Sequence, residues 1–422
     1  RDAILGRRVY HSLSEIEGDV DLVILCTPQK TIIPLLEEAA KKNCGGAVVF
    51  ASGYSETGAE GRVCQQELIE AADRLGIAVM GPNCAGFANF VDGIFAFAFL
   101  VEERDRKGNI GMISQSGQIV LGGLDSPGMG FSHVISSGNS CNVKVEDYLD
   151  FLVEDEDTKV VAAYMEGVAR PEKLTAVFQK AALKKKPVIV LKTGRSAKSQ
   201  ELAASHTGSL SGADKVLRAI FKRYGVVEAG DLEELMSLAA AFSWLEEMPK
   251  GERCVFMNVS GGEAGVMADL ADEYKIPLAK MEQKTRDYLS TLVPDYGSVN
   301  NPFDMTAGIG YNTPIMVKAM EAISGDPNVD AIVVAYTITP EIWDDTISHM
   351  VEAVSIARQN KNLKPVFWIP FIEHTRHQES ADTLKAAGVP LLPTGRYGCS
   401  VLKKILEFAA STFEPMEPAI PE

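Results

Sequence analysis

Residues 109–124 read NIGMISQSGQIVLGGL, and residues 253–270 read RCVFMNVSGGEAGVMADL. Each begins as a short apolar run, passes through a serine–glycine turn and continues into a helical segment. The likeness extends downstream. DYLDFLVEDEDTKVVAAYM (147–165) matches VKAMEAISGDPNVDAIVVAY (317–336) as a helix, an acidic turn and a strand. QKAALKKKPVIVLKTG (179–194) then parallels IARQNKNLKPVFWIP (356–370). Matched segments in one order read as a duplication, the alternative being chance similarity between α/β units.

Outward from this repeat, β-branched apolar runs alternate with helices along the whole chain. DLVILCT (21–27), GAVVFAS (46–52), KVVAAYM (159–165), CVFMNVS (254–260) and AIVVAYT (331–337) read as strands. IPLLEEAAKK (33–42) and ADKVLRAIFKRYG (213–225) read as helices between them. Strands buried on both faces and joined by helices predict parallel, doubly wound sheets. The expected fold is α/β: a partial Rossmann-like domain over 1–104, then two flavodoxin-like domains over 105–248 and 249–422, with the repeat boundary near Glu246–Gly251. The first domain has no glycine-rich turn after a first strand, which such folds normally carry. The expectation is that roughly one βαβ unit precedes this chain.

Composition narrows the partners. The 422 residues are 46% hydrophobic and 23% charged, with a formal net charge of −16. That charge argues against nonspecific nucleic-acid binding and leaves anionic ligands to backbone amides and helix N-termini. There is no apolar run long enough for a membrane span and no visible signal peptide. Seven scattered cysteines without a C-x-x-C pair predict free thiols and a cytoplasmic location.

Five short stretches carry candidate chemistry. The turns SQSGQ (114–118) and SGGEAG (260–265) enter helices, so Ser114, Ser116, Gly117, Gly261 and Gly262 are candidate phosphate-binding residues. Either turn alone is what any α/β protein shows; their matching places in two domains suggest one shared ligand. MEGVARPEK (165–173) puts Glu166 just after a buried strand, where open sheets line their binding crevice. It can orient an imidazole, or it can simply be a solvated glutamate starting a loop. ELAASHTGSLSGADKV (201–216) surrounds His206 with small residues and hydroxyls, which lets a loop present the ring, although a packed or capping histidine is the alternative. GPNCAGF (81–87) suggests backbone contact with a ligand; Cys84 is either a nucleophile or a buried, inert thiol, and no histidine is local to it.

Together these stretches resemble the nucleoside-diphosphate-forming (ADP-forming) acyl-CoA synthetases, relatives of succinyl-CoA synthetase. GPNCAGF resembles the segment closing their CoA-binding domain, ISQSG (113–117) and VSGGEAGVMADL (259–270) their two phosphate-cradling helices, YMEG (164–167) the position of the glutamate that steadies a catalytic histidine, and SHTGSLSG (205–212) the phosphohistidine loop. SSGNSCNVKVEDYLDFLVEDEDTKVV (136–161) and NPFDMTAG (301–308) fit the same order. The resemblance implies a reversible acid–thiol ligase in which a carboxylic acid, CoA and ATP give acyl-CoA, ADP and phosphate through an acyl phosphate and phospho-His206, with Glu166 as its orienting partner. It implies CoA along Pro28, Ser52, Gly53 and Asn83, and an acyl group near Leu121. ATP/ADP and Mg²⁺ would be held by an ATP-grasp domain or subunit, whose motifs are absent here, and FEPMEPAIPE (413–422) reads as a linker toward it. A homo- or hetero-oligomer is expected, with no nucleic-acid or membrane partner. Two other readings stand beside this one: a CoA or acyl-CoA sensor that kept the fold without the chemistry, and a flavin electron carrier, which rests on topology alone. Which acid is used, which direction prevails, and ADP versus GDP are not legible.

Overall fold

A computed structural model describes residues 2–101, 106–126, 128–196, 198–199, 214–337, 346–359, 363–372 and 378–412. The chain forms two compact units, one running to Leu235 and the other beginning at Met236.

The first unit opens with a small antiparallel ribbon, β1 (Ala3–Ile4) with β2 (Arg7–Arg8). Three parallel strands follow, β3 (Leu22–Leu25), β4 (Gly46–Val49) and β5 (Ala78–Met80), in that spatial order. Helices α1 (Ile32–Ala40) and α2 (Ala59–Leu75) connect them. β4 is the central strand, and Ala47, Val48 and Val49 are all buried. β3 departs from the expectation of burial on both faces. It lies at the sheet edge, with Val23 and Leu25 inward and Leu22 and Ile24 exposed.

The next two strands leave this sheet. β6 (Gly86–Asn89) and β7 (Ile94–Phe97) form a hairpin whose first strand pairs antiparallel with β9 (Phe131–Ser136) of the following sheet. Its turn is made by Asn89, whose side-chain oxygen accepts the N–H groups of Val91 at 2.9 Å and Asp92 at 3.0 Å. The larger sheet then runs β12-β11-β10-β8-β9-β6-β7, adding β8 (Lys107–Ser114), β10 (Val160–Met165), β11 (Val188–Lys192) and β12 (Val227–Glu228). In chain order its five parallel strands stand 2-1-3-4-5, the flavodoxin-like winding. Helices α3 (Gly117–Leu124), α4 (Val145–Glu154), α5 (Pro171–Lys184) and α6 (Asp214–Tyr224) connect them. Every residue of β10 is buried, and its alternate side chains Val161, Ala163 and Met165 join Leu149, Leu152, Leu174 and Phe178 in one core. Full burial of a side chain such as Phe178 contributes about 1.5–3 kcal/mol.

The second unit repeats the design. Its four parallel strands stand in the order β14-β13-β15-β16: β13 (Cys254–Asn258), β14 (Phe303–Asp304), β15 (Ala331–Ala335) and β16 (Val366–Ile369). A parallel bridge from Trp368 to Leu391 marks the fifth position, so this sheet is again 2-1-3-4-5. The duplicated segments occupy equal places: β8 and β13 are each strand 1, β10 and β15 strand 3, β11 and β16 strand 4. α7 (Leu232–Trp244) contains the division between the units, and α8 (Gly261–Glu273) is the counterpart of α3.

Candidate functional site

Two loops meet at the carboxyl ends of the strands in the first unit. One is Gly81–Cys84, after β5, and the other is Ser137–Cys141, after β9. The N–H groups of Asn139 and Cys141 donate to the carbonyls of Pro82 (2.9 Å) and Gly81 (2.7 Å). Gly138 makes this approach possible. Its φ is +55°, and a Cβ there would lie 2.4 Å from the Pro82 carbonyl oxygen.

A polar network extends the junction. Glu56 accepts the N–H groups of Gly53 (2.6 Å) and Tyr54 (3.1 Å) on one oxygen and Asn139 Nδ2 (2.5 Å) on the other. Burial pushes the Glu56 carboxyl up, but the Asn139 and backbone donors outweigh it and hold the group below the usual glutamate value. Gln65 is shared similarly, receiving Ser55 N–H at 3.2 Å and Asn139 Nδ2 at 3.1 Å.

Beside this junction lies a cavity of ≈ 780 Å³, lined by Asn83, Ser116, Gly117, Leu121 and Glu166 among others. Five residues singled out in the sequence thus meet in one hollow. α3 begins there with Ser116 at its cap in extended conformation, and among the described residues no side chain caps its first amides, which can therefore meet an anion. Ser114 stands behind the turn: it is fully buried, and its hydroxyl accepts Ser116 N–H (3.0 Å) and donates to the Ser116 carbonyl (2.7 Å). Leu121 and Gln118 also line an adjoining hollow of ≈ 490 Å³ with Leu100, Val101 and Arg106.

The remaining candidates lie elsewhere. Pro28 precedes a single helical turn at Gln29–Thr31, and Gly53, at φ +102°, is held by Gln29 Nε2 on its carbonyl (2.8 Å) and Glu56 on its N–H. Neither Pro28, Ser52 nor Gly53 lines the cavity, though Glu56 and Ser55 do. Gly261 and Gly262 start α8 in the second unit, after a cap in which Ser260 Oγ accepts Glu263 N–H at 3.3 Å. His206 lies outside the described residues, as does 413–422. Burial pushes the Cys84 thiol up to about 11, which keeps it neutral at pH 7 and removes the charge a nucleophile requires.

Several contributors were not legible in the sequence. Glu146 is fully buried at the start of α4, and one of its oxygens accepts the N–H groups of Ala169 (2.7 Å) and Arg170 (3.0 Å). Gln115 Oε1 receives the N–H groups of Glu166 (2.6 Å) and Gly167 (3.1 Å). Gln115 at least lies inside the quoted SQSGQ turn; VKVEDYL, around Glu146, reads as an ordinary helix start.

The arrangement defines an α/β protein in which a flavodoxin-like sheet opens a helix start into a cavity beside the Gly81–Cys84 loop. Residues 1–89 match the CoA binding domain family, and residues 107–242 match the succinyl-CoA ligase like flavodoxin domain family. The chain is 34% identical over 396 residues to the acetate–CoA ligase [ADP-forming] II subunit alpha of Pyrococcus furiosus, covering 92% of this chain and 84% of that one. It is 31% identical over 418 residues to the acetate–CoA ligase [ADP-forming] II of Archaeoglobus fulgidus, covering 97% of this chain and 60% of that one. The dinucleotide forming acetyl-coenzyme A synthetase 1 of Candidatus Korarchaeum cryptofilum, solved with phosphate and ADP, superimposes with a TM-score of 0.85 at 26% identity, over 97% of this chain and 87% of that one. This chain belongs to the ADP-forming acyl-CoA synthetase family. It spans most of the length of the subunit relative and under two thirds of the Archaeoglobus one.

Proposed function

We propose that this chain is the CoA-binding and phosphoryl-carrying part of an acid–thiol ligase that converts a carboxylic acid, CoA and ATP reversibly into acyl-CoA, ADP and phosphate. The observation that carries the proposal is the single cavity in which Asn83, the open amides at Ser116 and Gly117, and Glu166 meet. CoA reaches it along the loops around Pro28, Ser52, Gly53 and Asn83. In the synthetic direction the CoA sulfur attacks the carbonyl carbon of an acyl phosphate, the C–O bond to phosphate breaks, and the thiol proton goes to solvent. The amides of α3 hold the phosphate oxygens through this exchange, where charge develops.

His206 carries the phosphoryl group between nucleotide and acid. One imidazole nitrogen bonds to phosphorus while the acid's carboxylate departs or attacks, according to direction, and the other donates a hydrogen bond to Glu166. Gly261 and Gly262, at the start of α8, offer helix-start amides of the same kind for a phosphoryl group. Nucleotide and Mg²⁺ belong to an ATP-grasp domain or subunit, so the working enzyme is an assembly. A cytoplasmic location accords with seven free cysteines, and no helix among the described residues is long and apolar enough to cross a membrane.

The test is turnover of the complete enzyme with a panel of carboxylic acids. Acyl-CoA, ADP and phosphate should form in equal amounts, and His206→Ala should abolish all three. Tight CoA binding with no turnover on any acid would replace this reading with that of a CoA sensor.

A further inference from the structure

Gln115 ties together two segments distant in the sequence. It sits in the turn between β8 and α3, directly before the helix start that faces the cavity. Its own N–H donates to the Tyr164 carbonyl at 3.3 Å. Its Oε1 accepts from both Glu166 N–H (2.6 Å) and Gly167 N–H (3.1 Å). Two N–H donors converging on one atom determine which end of the amide is oxygen. The Nε2 end therefore turns away from these amides, and the residue lines the cavity.

We infer that Gln115 is a positioning residue that sets the Glu166 turn and couples it to the anion-holding start of α3; this rests on the role given to Glu166 above. The turn from Glu166 to Arg170 is fastened at both ends, by Gln115 on the first two amides and by the buried Glu146 on Ala169 and Arg170. Only the Gln115 end belongs to the same turn as Ser116 and Gly117. Any shift of the α3 start is thereby passed to Glu166.

The chemistry also explains why an amide serves here. A glutamate could accept the same two bonds. It would add a negative charge beside a helix start whose amides favour an anion, and beside Glu166. Glutamine supplies the acceptor without the charge.

The two variants separate these contributions in the complete enzyme. Gln115→Leu removes the acceptor at similar volume, and kcat should fall on the order of 10²-fold through a displaced Glu166. Gln115→Glu keeps the acceptor; kcat should stay within about threefold while the KM for phosphate in the acyl-CoA-consuming direction rises about tenfold. Adding Glu166→Gln to Gln115→Leu should cost little beyond the worse single change, because both act through one carboxylate. A wild-type kcat in Gln115→Leu overturns the inference alone, as does a loss in Gln115→Glu as large as in the leucine variant. If the leucine variant does not fold, the glutamate variant decides: a kcat loss beyond tenfold, or an unchanged KM for phosphate, overturns it. Full activity in Glu166→Gln by itself overturns both this inference and the role of Glu166.

Discussion

At the residue scale, the junction of the two sheets in the first unit depends on groups whose value is set by their neighbours. Glu56 is the clearest. Its folded pKa is depressed, so its contribution to stability is fully present above the ordinary glutamate value of 4.5 and is lost as pH falls through the lower folded value. Glu56→Gln should cost about 1–2 kcal/mol at pH 7, where the charged acceptor is lost. Urea unfolding of both proteins at several pH values should show that difference shrinking as the solution is made acidic below 4.5. A difference that stays constant into that range would contradict the role given to its charge. Gly138→Ala forces a Cβ against the Pro82 carbonyl at a left-handed φ, and about 2–4 kcal/mol should be lost. The same variant should weaken CoA binding by calorimetric titration, because the Gly81–Cys84 loop must move to admit the methyl group.

At the element scale, the hairpin β6–β7 ties residues that follow the first sheet into the second. Asn89→Ala removes the acceptor for two turn amides and should cost about 1 kcal/mol. Amide exchange across β6 and β7 should speed up while β3–β5 keep their protection; uniform exchange across both sheets would argue that the hairpin has no local stability of its own. The elements also show what a sequence displays and what it conceals. The repeated strands were legible because each fully buried strand is a run of β-branched and small apolar residues, and the duplication repeats that signal in one order. The SQSGQ turn was legible because serine and glycine mark a strand-to-helix junction. The hairpin's change of sheet was not, since GFAN and IFAF carry no mark of which sheet edge they join. The placements of Glu56, Gln115 and Glu146 were hidden for a different reason. Each is a single polar side chain reaching residues distant in sequence or across a turn, such as Asn139 for Glu56 and Glu166 for Gln115. A lone polar residue on a helix or turn leaves no periodic trace, and burial turns it from a surface group into a structural acceptor.

On the scale of the whole molecule, duplication supplies two helix starts of one kind, α3 at Gly117 and α8 at Gly261. Residues 1–89 match a CoA binding domain family, so this chain should bind CoA by itself in a calorimetric titration. A titration without binding would contradict the role proposed for the loops around Asn83. The most direct test of the central claim is labelling with a nucleoside triphosphate carrying a marked γ-phosphate. The complete enzyme should acquire an acid-labile, base-stable phosphoryl adduct that maps to His206, disappears in His206→Ala, and is discharged by adding acid and CoA, with acyl-CoA as product. An unlabelled enzyme that still forms acyl-CoA at its normal rate, or an adduct mapping to another residue, would contradict phosphoryl transfer through His206.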